Sequence, residues 1–154
     1  MSTQIDSRGP QLNAAVTAVV LAIVLATAPS TFATVLLAAQ AGLFAWAAVL
    51  GVQRSPHSWV FRTLVRPRLT KAPEWEDAAP PRFAQAVGLG FALVGVVGFL
   101  AGATLLGLVA TGFALTAALL NAVFRFCLGC ELYLLTQRWL RSERSERLET
   151  PQLN

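Results

Sequence analysis

Residues 9–53 and 83–124 contain no Asp, Glu, Lys or Arg. A chain folding in water seldom goes so far without charge, since about a quarter of an average soluble domain is charged. Here the share is 13% of 154 residues. A helix needs about 20 apolar residues to cross the hydrocarbon of a bilayer, so each stretch holds two crossings and a turn. The expected fold is all-α, an integral membrane four-helix bundle.

The spans are expected at about 12–28, 32–52, 83–101 and 104–124. Pro29-Ser30 divides the first pair, because proline lacks an amide hydrogen and restricts the residue before it. Arg8, the apolar run and Ala26-Thr27-Ala28 also resemble a secretory signal peptide, but Pro29 directly after the small residues opposes cleavage and a second span follows at once. In the second span Gln40 is expected to hydrogen-bond to a neighbouring helix. Asn121 is the other strongly polar side chain expected within the spans. The third span is rich in glycine, and Gly98 and Gly102 form a Gly-x-x-x-Gly step suited to close helix packing within the bundle or to a homo-oligomer contact.

The charged residues report topology. With a net charge of +4 a soluble protein would invite a nucleic-acid reading, but here the basic residues stand at Arg8, in the loop over 53–82 and after residue 124. The positive-inside rule places such segments in the cytoplasm, so both termini and the central loop are expected on that side of a bacterial plasma membrane. No nucleic acid is expected as a partner. Within the loop, Trp59 to Leu69 interleaves apolar residues with Arg62, Arg66 and Arg68, as expected of a short cytoplasmic interfacial helix meeting lipid headgroups. The acidic run Glu74-Trp75-Glu76-Asp77 follows and is expected to pair with those arginines, then Pro80-Pro81 leads into the third span. The tail over 125–154 begins as helix and ends as a solvated, fraying segment.

Both cysteines lie just beyond the fourth span, in Phe124-Arg125-Phe126-Cys127-Leu128-Gly129-Cys130-Glu131. If the fourth helix runs on toward Trp139, Cys127 and Cys130 share a face at i and i+3 and Glu131 lies one turn from Cys127. Gly129 offers another outcome, opening the helix so that a new one starts with amides facing sulfur. Arg125 favours a thiolate, whereas Glu131 and partial burial oppose one. A dithiol on the reducing side of a membrane argues for a working pair over a permanent disulfide. The pair is not a thioredoxin domain, which needs a βαβ setting, and no strand-like alternation occurs in the chain. A structural zinc site wants four ligands, and only His57 and scattered carboxylates accompany the thiols. Any metal would be a soft ion such as copper(I) held by Cys127 and Cys130, and no cofactor is expected.

Several segments are similar to those of a known family: Arg8-Gly9-Pro10, Arg66-Pro67-Arg68, Glu76-Asp77, Pro80-Pro81-Arg82-Phe83-Ala84-Gln85 and, above all, Phe126-Cys127-Leu128-Gly129-Cys130-Glu131-x-Tyr133. Over residues 6–140 the chain resembles the bacterial membrane proteins grouped as domain of unknown function 4395. The resemblance implies a small multi-span protein working beside thioredoxin-like or rhodanese-like proteins. The expected function is thiol-disulfide exchange or sulfur transfer at the cytoplasmic face. Cys127 and Cys130 would react, Glu131 would move protons and Arg125 would stabilise the thiolate. The alternatives are a conduit for a small sulfur compound or soft metal, and a non-catalytic accessory or scaffold subunit.

Overall fold

A computed structural model describes residues 4–6, 8–51, 54, 59, 63, 67, 75–77 and 79–149. Four helices are long and apolar enough to cross a membrane: α1 (Arg8–Thr27), α2 (Thr31–Leu50), α3 (Ala79–Leu100) and α4 (Thr104–Phe124). A fifth, α5 (Leu128–Glu149), follows α4 after a short break. The interfacial helix expected over Trp59 to Leu69, apart from Trp59, Thr63 and Pro67, the arginine side chains expected to pair with the acidic run, and His57 lie outside the described residues.

Local chemistry sets the helix ends. Ser30 takes an extended conformation and its hydroxyl oxygen accepts the Ala33 amide at 3.0 Å, so α2 begins with a side-chain cap right after Pro29. Pro80 and Pro81 fall inside the first turn of α3, where a missing amide costs nothing. The α3–α4 turn is made by Ala101 to Ala103, with Gly102 at φ +75°, a region that favours glycine. Gly98 therefore serves the hairpin: a Cβ there would meet the Gly107 amide nitrogen at 2.7 Å. Because Gly102 lies beyond the end of α3, the Gly-x-x-x-Gly step is not a helical stripe.

The four long helices form a closed antiparallel ring in which α1 packs on α2 and α4, and α3 packs on α2 and α4. The helix ends that carry charge meet at one end. There the Arg82 guanidinium donates to the Ala48 and Val49 carbonyls at the end of α2, and the Gln11 amide donates to the Ala122 carbonyl near the end of α4. The interior is built mostly from small side chains such as Ala18, Ala33, Ala41 and Ala92 around Leu21 and Leu37, while Val19, Val35, Val97 and Leu105 face outward. This is how membrane helices pack, since lipid solvates the large side chains as well as a core would and small ones let backbones approach. Gln40 donates to the Thr17 hydroxyl on α1 at 3.4 Å, so its amide does join two helices.

Two further features differ from the sequence reading. The backbone of Gln4–Asp6 (β1) pairs antiparallel with Trp75–Asp77 (β2), in register Gln4 with Asp77 and Asp6 with Trp75, a minimal ribbon tying the acidic run to the entrance of α1. It supplies no βαβ unit. The fourth span also does not run on through the cysteines. α4 stops at Phe124 because Arg125 turns left-handed, at φ 56° and ψ 21°, with its amide bonded to the Asn121 carbonyl.

Candidate functional site

The break between α4 and α5 creates the site. Cys127 stands immediately before α5 and acts as its N-cap: its carbonyl accepts the Glu131 amide at 3.0 Å, the first bond of the helix, and its Sγ accepts the Cys130 amide at 3.3 Å. A serine or aspartate oxygen usually fills that place. Neither cysteine is in a disulfide, and both are half-buried. The arrangement replaces the expected i and i+3 face, because Cys127 is not in the helix and Phe124 belongs to a different one. It matches the other outcome, a new helix whose amides face sulfur.

Gly129 has a different role from opening the helix. It is buried in the first turn of α5, where an added Cβ would lie 2.5 Å from both Cα and Cβ of Ala84 on α3. Its bare backbone thus lets α5 dock against the start of α3. Phe83 and Tyr133 continue the contact, with ring centroids 5.8 Å apart. Through this docking the helix that carries Cys130 and Glu131 is held to the bundle that positions Cys127.

Arg125 shapes the approach as the left-handed residue between the helices, and its side chain is exposed. Non-glycine residues in that conformation carry a backbone cost of about 1 kcal/mol. Glu131 is exposed in the first turn of α5. The four residues singled out from the sequence thus fall within one cap and turn. Among the described residues no three His, Cys, Asp or Glu side chains gather where a metal ion would sit.

Cys127 also lines a cavity of about 300 Å³ between the helices, whereas Cys130 is not among its lining residues. Asn13, Thr17, Gln85 and Asn121 are polar residues in its wall. Sequence reasoning found only Asn121 and Gln40 as strongly polar groups within the spans. Asn13 and Gln85 lie at the edges of the first and third apolar runs, where they read as boundary residues. Their appearance in matching positions at the starts of two helices that share an end was the available clue.

No curated protein and no solved structure matches the chain. A family model does, over residues 5–138, and the chain therefore belongs to the family described as Domain of unknown function (DUF4395).

Proposed function

We propose that the chain is a membrane-bound dithiol protein whose Cys127 and Cys130 carry out thiol-disulfide exchange or sulfur transfer with a partner protein at the cytoplasmic face of the bacterial plasma membrane. The observation that carries this reading is the sulfur cap of α5. A thiolate is the reacting form of cysteine, and a helix N-terminus stabilises negative charge through its unpaired amides and its dipole. The Cys130 amide on the Cys127 Sγ is such a contact. Cys127 is accordingly the attacking thiol, and Arg125 adds a positive charge nearby.

In exchange, the Cys127 thiolate attacks one sulfur of a partner disulfide and the other partner sulfur leaves as a thiolate that takes up a proton. Cys130 then gives its proton to Glu131 or water and attacks the Cys127 Sγ. The second partner sulfur departs as a thiolate, leaving a Cys127–Cys130 disulfide and a reduced partner. With a persulfide partner, Cys127 takes the terminal sulfur and releases the partner thiol. A thioredoxin-like or rhodanese-like cytoplasmic protein fits either role. The cytoplasmic side is supported by Arg8, Arg54, Arg82 and Arg125, which belong to helix ends sharing one end of the bundle.

The test is a trap. Cys130→Ser should accumulate a mixed disulfide through Cys127 in cells under mild oxidation, releasable by reductant. If neither Cys130→Ser nor Cys127→Ser holds any protein, the exchange reading fails. A conduit for a small sulfur compound or soft metal is the second reading, favoured by the cavity that Cys127 lines. Vesicle uptake that requires both thiols would be its mark.

A further inference from the structure

The cavity beside Cys127 runs from the charged end of the bundle toward its middle. Cys127 and Gly129 stand at one end and Phe91 and Phe113 at the other, their rings stacked with centroids 6.1 Å apart. At 1.5 Å per residue, Phe113 lies about 16 Å along α4 from the helix end, at a depth where acyl chains surround the bundle. Phe113 both lines the cavity and is 61% exposed, so that end reaches the flank between α3 and α4. At about 300 Å³ the space matches the small end of ligand sites, roughly 300–1,000 Å³.

One wall holds a group with no partner among the described residues. The Asn13 side chain is only 7% exposed, lines the cavity and has no hydrogen bond among the described residues. Among the described residues no buried side-chain nitrogen or oxygen is both sealed and unsatisfied, so the Asn13 amide reaches the open space. A buried amide calls for a partner. The occupant should therefore enter from lipid past the phenylalanines, accept hydrogen bonds from amides and react with a thiol. An acyl chain meets only the first requirement.

We infer that this cavity is a quinone site, and that a membrane quinone is the two-electron acceptor for the Cys127/Cys130 dithiol, which a partner dithiol regenerates by the same exchange run in reverse, leaving as the partner disulfide; the inference rests on the thiol chemistry proposed above. The amides of Asn13, Gln85 and Asn121 are the donors available to the ring carbonyls. The Cys127 thiolate adds to a ring carbon and one carbonyl oxygen takes up a proton. Cys130, losing its own proton, attacks the Cys127 Sγ. The sulfur–sulfur bond forms as the sulfur–carbon bond breaks, its electron pair passes to the ring, and the second oxygen is protonated. Two thiols have lost two electrons and two protons, and the quinone has become a quinol.

The experiment uses full-length protein, reduced and anaerobic, in nanodiscs of phosphatidylcholine and phosphatidylglycerol. The probe is a short-chain ubiquinone analogue whose ring is fully substituted, which suppresses simple arylation. Wild type should form one quinol per chain with loss of both thiols, and Cys127→Ser should form none. Asn13→Leu, and Ala117→Phe filling the cavity from α4, should slow quinol formation at least tenfold while changing exchange with a water-soluble aromatic disulfide less than twofold. Should Asn13→Leu not fold, wild type and Ala117→Phe decide. Wild type forming no more quinol than Cys127→Ser overturns the inference, as does wild-type quinol formation by a folded cavity variant. In either case intact disulfide exchange leaves the thiol reading standing, and exchange absent from wild type removes that reading as well.

Discussion

Gly129→Ala tests the architecture of the site. The added Cβ would sit 2.5 Å from the Cα and Cβ of Ala84 and 3.3 Å from its nitrogen, whereas carbon atoms rest comfortably at about 3.5–4.0 Å. The obstacle is helix backbone, which cannot rotate aside, so the first turn of α5 must retreat from α3 by about 1 Å. Such overpacking costs typically 1–3 kcal/mol, and the better helix propensity of alanine returns at most about 1 kcal/mol. The expected net loss is about 0–3 kcal/mol in equilibrium unfolding followed by circular dichroism in mixed micelles. Alkylation of Cys127 should also accelerate several-fold, because the retreat loosens the cap that holds its sulfur. Adding Ala84→Gly should recover only part of the loss, since the Ala84 Cα is as close as its Cβ. A Gly129→Ala protein that gains about 1 kcal/mol with unchanged alkylation would refute the close α3–α5 approach.

Two further substitutions separate packing from chemistry. Cys127→Ser retains an N-cap acceptor and should leave stability within about 0.5 kcal/mol, whereas Cys127→Ala should lose about 1 kcal/mol, although both abolish exchange; equal stabilities would mean that the sulfur is no cap. Gly98→Ala drives a Cβ into the Gly107 backbone and should cost about 1–3 kcal/mol, while Gly107→Ala meets the Phe99 ring, which can turn aside, and should cost less; unfolding curves in the reverse order would refute the α3–α4 crossing.

The sequence by itself determined the four spans, because the absence of charge over residues 9–53 and 83–124 is a property of composition that no packing can alter. A helix end set by local chemistry was legible too, at Pro29-Ser30. The family was readable from the Cys127 to Tyr133 segment, and the match over residues 5–138 bears it out. The tertiary structure decided what local pattern leaves open. Nothing in the residues around Arg125 forbids a continuous helix, and the break accompanies the docking of α5 on α3, which depends on Gly129 meeting Ala84 far along the chain. The cap on Cys127 follows from that break. Asn13, Gln85 and Asn121 became one cavity wall only when α1, α3 and α4 closed on one another. Hydrophobicity chooses which segments enter the membrane, but close contacts between distant residues choose where a helix stops and which side chains share a space.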